Sequence, residues 1–266
     1  MFTEFEMERL QSLYENEVKY NLSDSGNHPL SMNDLLSDEE IKKILDMEIY
    51  YGYTTGDPNL LSAIASWYPD KINESNVLVT NGSAEANFLA GWTLIEPGDE
   101  VVMVLPNYMQ VPGLAKNLGA SLKTIGLKES LGWHVDLDEL ASVVTEKTKL
   151  ISICNPSNPT GAVMSDDEMK SIAEIAGKHG AYVLSDEVYR GSELDGNETK
   201  SFIHFYDKCI VSCGLSKSFA HPGLRIGWLI ASPEIIQSIW TRKDYTTLCA
   251  SVISQEIGTK IMTMPT

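Results

Sequence analysis

Between residues 76 and 231 the chain alternates short apolar runs with amphipathic stretches, and turn residues separate them. The runs 77–80, 100–105, 121–125, 149–154, 181–185, 210–213 and 227–231 predict strands, each closed by Gly, Pro, Asn or Asp or followed by a turn. The stretches 84–95, 111–118 and 138–144 repeat apolar residues at helical spacing. Ser165-Asp166-Asp167-Glu168 has the spacing of a capping box and predicts a helix reaching about His179. Strands that alternate with helices imply an α/β fold. The expected architecture is a three-layer α/β/α domain with a mostly parallel sheet.

Residues 1–48 read differently. They are polar, with short helical patterns such as 32–47, which is acidic at its start and carries Lys42 and Lys43 later. A long helix is expected to start over residues 233–245.

Composition narrows the class. With 43% hydrophobic and 21% charged residues the chain reads as a soluble globular protein of 266 residues, long enough for one large or two ordinary domains. No apolar run approaches membrane-spanning length, and Met1-Phe2-Thr3-Glu4-Phe5-Glu6 lacks the basic-then-apolar order of a signal peptide. Cys154, Cys209, Cys213 and Cys249 show neither metal-ligand spacing nor a disulfide framework, so no metal and a cytoplasmic location are expected. The net charge of −17 disfavours nucleic acid and anionic membrane as partners, yet leaves room for a local cationic pocket.

Ligands of open α/β sheets bind at the carboxyl ends of strands, and the residues with chemical potential fall there. Asn81-Gly82-Ser83-Ala84 joins a strand to a helix; backbone N–H groups and the Ser83 hydroxyl suit a phosphate, although the same turn serves as an ordinary cap. No dinucleotide or P-loop glycine pattern is present. Tyr108, after Pro106-Asn107, can stack on a flat ring or simply pack. Asn155-Pro156-Ser157-Asn158-Pro159-Thr160-Gly161 forms a rigid loop that holds Asn158 for donation to a phenolate oxygen. Asp186 can pair with a protonated pyridine nitrogen, and Tyr189 follows three residues later. A lone lysine is usually a surface residue. Lys217, however, sits among small and apolar residues, with Arg225 eight positions on. Such a lysine can attack a carbonyl, and such an arginine can grip a phosphate.

In this order the motifs resemble the fold-type I, class I/II aminotransferases, which use pyridoxal 5′-phosphate (PLP). The motifs are Tyr51–Gly56 numbered 51–56, Gly82-Ser83-Ala84, Asn158-Pro159-Thr160-Gly161, Asp186 with Tyr189, and Ser216-Lys217 with Arg225. The resemblance implies that Lys217 forms the Schiff base and shuttles a proton, and that Asp186 pairs with the pyridinium. It implies that Asn158 and Tyr189 contact the ring oxygen and that Tyr108 stacks on the ring. Gly82, Ser83, Ala84 and Arg225 would form the phosphate cup, and Ser216 is a further cofactor-binding candidate. Tyr51 would reach the phosphate of a neighbouring subunit, so a homodimer is implied. Gly26 resembles a glycine near the substrate, where Asn158 also belongs. The expected division is residues 1–48 as N-terminal arm and part of a small domain, 49–240 as the PLP-binding large domain, and 241–266 as the start of a connection to a C-terminal small domain.

Two departures from the pattern stand out. Gly214 occupies the place, three residues before the lysine, where the family usually has a phosphate-binding Ser or Thr. Ser216 and Ser218 are the candidates to replace it, and Gly214→Ser is expected to tighten cofactor binding by about 1 kcal/mol. No residue up to Met264-Pro265-Thr266 can be assigned as the arginine that grips the substrate carboxylate. The expected activity is amino-group transfer between an amino acid and a 2-oxo acid. The alternatives are a PLP lyase or cyclase on the same scaffold, including a capreomycidine-synthase-like reaction, and an inactive truncated fragment. A PLP-sensing regulator is disfavoured, because no basic helix-turn-helix pattern precedes Tyr51.

Overall fold

The computed structural model describes residues 2–264. In chain order the helices are α1 (Glu6–Tyr14), α2 (Met32–Leu35), α3 (Asp38–Leu45), α4 (Pro58–Ala65), α5 (Ser83–Leu94), α6 (Gln110–Asn117), α7 (Leu137–Val143), α8 (Asp166–His179), α9 (Pro233–Lys243) and α10 (Val252–Thr263). The strands are β1 (Val77–Thr80), β2 (Glu100–Leu105), β3 (Ser121–Gly126), β4 (Thr148–Cys154), β5 (Tyr182–Asp186), β6 (Cys209–Gly214) and β7 (Gly227–Ile230). Their order in the sheet is β1-β7-β6-β5-β4-β2-β3. The fold is three-layer α/β/α with a mixed, mostly parallel sheet, as the alternation predicts.

The chain divides into two compact units. One comprises the residues up to Ser25 together with 90–210; the other comprises 26–89 and the residues from Val211 onward.

In the first unit β2, β3, β4 and β5 run parallel, with Val101 opposite both Leu122 and Leu150, and Cys154 opposite Asp186. The inner strands are buried along almost their whole length. Helix α8 shows how local sequence fixes an element. Ser165 Oγ accepts from Glu168 N (3.2 Å), Asp166 and Asp167 complement the positive helix start, and Gly180 closes the end at φ +68°. Its inner face buries Met169, Ile172 and Ala176, the apolar side chain at Ile172 alone being worth about 1.5–3 kcal/mol. The capping box is only half formed. Glu168 turns its carboxylate away from the cap, to His134 Nδ1 (2.8 Å) and Val135 N (2.9 Å). A buried carboxylate gains more from a side chain and an amide it can satisfy than from a cap residue open to solvent.

In the second unit β7 is antiparallel to both β1 and β6, with Gly227 opposite Thr80 on one side and Gly214 on the other. Trp228 is fully buried, and its Nε1 donates to Tyr68 Oη (2.9 Å). The helical pattern of 32–47 resolves into two helices, α2 and α3, rather than one. Ser31 with Asp34 and Ser37 with Glu40 each form a complete capping box, and the second box restarts the helix.

Candidate active site

In the first unit the carboxyl ends of β4 and β5 are tied together. Asn155, buried, donates its N–H to Asp186 O (3.0 Å), and its Oδ1 accepts from Met164 N (2.9 Å). Ser157 N to Ala162 O (2.9 Å) and Gly161 N to Ser157 O (2.8 Å) fold the loop back on itself, with Gly161 at φ +72°. This loop brings Asn158 to Tyr189: Asn158 Nδ2 donates to Tyr189 Oη at 3.1 Å. Tyr189 Oη in turn donates to Ser25 Oγ (2.8 Å). Burial pushes the Tyr189 phenol up to about 12, against the pull of that Ser25 bond. Asp186 closes β5, and its Oδ1 accepts from Val188 N (3.3 Å). The next residue, Glu187, is a structural anchor. Its Oε1 accepts from Ser185 Oγ (3.0 Å), Ser201 Oγ (3.0 Å) and Phe202 N (2.8 Å). Burial raises its carboxyl to about 7, and the Arg190 guanidinium opposes that shift. Tyr108, half-buried after β2, donates its hydroxyl to Glu8 Oε2 (2.9 Å).

In the second unit a glycine cradle forms at the start of α5. Gly82 sits at φ +79°, and a Cβ there would lie 2.3 Å from Arg225 Nη2. A Cβ on Gly227 would lie 2.4 Å from the carbonyl carbon of Gly82 and 2.5 Å from Ser83 N. Only glycine at both positions lets the turn, the strand and the guanidinium approach this closely. Arg225, itself left-handed at φ +53°, places Nη1 against Pro222 O (3.0 Å) and Ser216 Oγ (3.5 Å). Among the described residues Arg225 forms no carboxylate ion pair. The acid in the first turn of α5 is otherwise engaged: Glu85 accepts from Asn81 N (2.6 Å) and Thr247 Oγ1 (2.6 Å). A positive helix start, a backbone turn without side chains and a guanidinium together suit a phosphate. These residues therefore fit the phosphate group of PLP.

Lys217 lies half-buried in the loop after β6. Asn27 Nδ2 donates to Lys217 O (3.3 Å) and Ser218 O (3.4 Å), and Leu30 N donates to Ala220 O (3.4 Å), so the segment after Gly26 braces the lysine loop. Tyr51 is 83% exposed. The structure thus joins Asn158 with Tyr189, and joins Gly82, Ser216 and Arg225.

The expected benefit of a serine at position 214 does not fit the packing. A Cβ on Gly214 would meet Ile226 O at 2.9 Å and Gly227 Cα at 3.0 Å, and both are backbone atoms that cannot swing aside. Ser216, within reach of Arg225, is the better placed hydroxyl; the Ser218 Oγ is buried without a partner among the described residues. Sequence reasoning missed Glu8, Ser25, Asn27 and Gly227. The first three act across long sequence separations on residues that were legible, and Gly227 reads in sequence as an ordinary strand glycine.

Residues 22–264 match the family model "Aminotransferase class I and II". A probable aspartate aminotransferase of Methanocaldococcus jannaschii is 34% identical over 82% of this chain and 60% of its own length. A probable N-acetyl-LL-diaminopimelate aminotransferase of Bacillus subtilis is 35% identical over 71% of this chain and 48% of its own. A PLP-dependent aminotransferase of Streptococcus suis superposes with a TM-score of 0.91 at 33% identity, covering 98% of this chain and 71% of that one. The chain therefore spans between about half and three fifths of the length of these curated relatives. It belongs to the class I and II aminotransferase family, whose fold-type I members depend on PLP.

Proposed function

We propose that this protein is a PLP-dependent aminotransferase that moves an amino group between an amino acid and a 2-oxo acid. The observation that supports the proposal is the cradle of Gly82, Gly227 and Arg225 at the start of α5, where a bare backbone turn and a guanidinium suit a phosphate. When bound, PLP supplies an electron sink for the pair of electrons left on the amino acid Cα. The chain's own residues do the rest. Gly82, Ser83, Ala84, Ser216 and Arg225 would hold the phosphate. Asn158 and Tyr189, already hydrogen-bonded to each other, would hold the ring oxygen, and Tyr108 would cover the ring face. Asp186 would keep the ring nitrogen protonated by pairing with it. Lys217 Nζ would carry the cofactor covalently and, as a free amine, would act as general base toward the Cα proton. Gly26 and Asn158 would border the amino acid. Tyr51, exposed on its loop, would serve the phosphate of a second copy in a homodimer.

The relatives' names differ in their amino donor, so no donor is carried over from them. A single-turnover reaction separates transfer from elimination or cyclisation. With PLP and one amino acid, transfer converts the cofactor to pyridoxamine phosphate and releases one equivalent of 2-oxo acid. Release of ammonia with PLP regenerated would replace transfer by a lyase.

A further inference from the structure

The segment from Thr3 to Ser25 reaches the site residues of the first unit at both of its ends. Helix α1 has no buried residue, and Leu10, Leu13 and Tyr14 on it are exposed, so an apolar face does not hold it in place. Polar contacts around its start do. Thr3 N donates to Asn117 Oδ1 (2.6 Å) while Asn117 Nδ2 donates to Thr3 O (2.9 Å), a two-bond clamp onto α6. Phe5 meets the Tyr108 ring edge-on at 5.0 Å between centroids. Glu8 accepts the Tyr108 hydroxyl at 2.9 Å. At the far end of this segment Ser25 accepts the Tyr189 hydroxyl (2.8 Å).

One carboxylate, Glu8, is thus bonded to a tyrosine expected at the cofactor ring, and Asp24 stands next in sequence to the Ser25 that bonds the other, on a segment with six acidic and two basic side chains before residue 26. A protein that needed only a cover could have used any polar residue there. A fixed carboxylate repels an anion and attracts a cation brought to the same rim. At protein-surface dielectric and a few ångströms of separation the effect on affinity is about tenfold or more.

We infer that Glu8 is a specificity-determining residue, held in place by Tyr108, that turns away amino acids with anionic side chains and favours those with cationic ones. The inference rests on the proposed function, because Tyr108 discriminates substrates only if it covers the cofactor ring.

The experiment uses the 266-residue chain loaded with PLP. Binding of L-arginine, L-norleucine and L-glutamate is followed through the cofactor's visible absorption. The parent chain is expected to bind arginine at least about tenfold more tightly than glutamate. Glu8→Gln keeps an acceptor for Tyr108 but removes the charge, and should bring that ratio to within about threefold, with PLP affinity changed less than about twofold. Hydrogen exchange in the cofactor-free protein supplies a second readout. Glu8→Ala should speed exchange across residues 5–14 by about tenfold, and Glu8→Gln should restore the slower rate. Glutamate bound as tightly as arginine, no binding of any of the three, or a ratio unmoved by Glu8→Gln would each overturn the inference. If borohydride fixes PLP on Lys217 and the ratio is flat, the inference falls alone. If no PLP is fixed, the cofactor assignment falls and takes the inference with it.

Discussion

Gly227→Ala tests the phosphate cradle at its tightest point. The new methyl would sit 2.4 Å from the Gly82 carbonyl carbon and 2.5 Å from Ser83 N. Ordinary contact between such atoms begins near 3.5 Å, so the turn and the strand must separate by about 1 Å. Neither neighbour can yield by a rotamer change. Gly82 is held by Thr80 Oγ1, which donates to its carbonyl (3.0 Å), and β7 is paired on both edges. Overpacking of this kind costs about 3 kcal/mol, which for a chain of this size lowers the melting temperature by about 6–12 °C. Displacing the start of α5 from Arg225 should also weaken PLP and inorganic phosphate binding by about tenfold, the loss of one charge-assisted hydrogen bond. The assay pairs scanning calorimetry with phosphate titration of the cofactor-free protein. Gly113→Ala is the control: it lies inside α6, a Cβ there meets no atom within 4 Å, and it should stabilise by about 0.5–1 kcal/mol. A Gly227→Ala protein that melts within about 1 °C of its parent and binds phosphate equally well would refute the cradle.

Other perturbations probe other parts. Gly214→Ser should destabilise by about 1–3 kcal/mol and leave PLP no tighter, whereas Ser216→Ala should loosen PLP about fivefold; equilibrium titration of both distinguishes them. For Glu187 the folded carboxyl titrates near 7, above its unfolded value, so the folded state binds the extra proton. Its contribution to stability is fully present below the ordinary carboxyl range and is lost as pH rises through about 7, on the order of 3 kcal/mol in all. Urea midpoints measured from pH 4.5 to 8 should therefore fall more steeply in the parent than in Glu187→Gln. Lys243 is fully buried, burial lowers its pKa, and its Nζ donates to Thr54 O (2.8 Å) and to Leu248 O. Lys243→Met should strand both carbonyls, cost about 2–4 kcal/mol, and speed hydrogen exchange in residues 51–56, the loop that carries Tyr51.

Fold and motif residues were legible in the sequence to different depths. Each predicted strand from 77 to 231 is present, because a buried strand must be apolar and a parallel connection must end in turn chemistry. Asn158 and Tyr189 were legible as two contacts to one ring oxygen, and the structure shows them bonded to each other. The capping chemistry of Glu168 was legible only as spacing, since a carboxylate's choice between a cap and His134 depends on residues brought near by folding. Gly214 read as a missing serine because backbone proximity between β6 and β7 leaves no mark on local sequence. Helix α1 lacks a buried face, and the bonds of Thr3 with Asn117 and of Glu8 with Tyr108 span a hundred residues or more, so nothing periodic announced them.

Borohydride reduction of the purified chain with PLP, followed by peptide mass mapping, decides whether Lys217 carries the cofactor. One pyridoxyl group is expected, on the peptide that contains Lys217, and it is expected to be lost in Lys217→Ala. A protein that takes up no label, or takes it up equally on other lysines, would contradict the assignment of Lys217 as the cofactor-bearing residue.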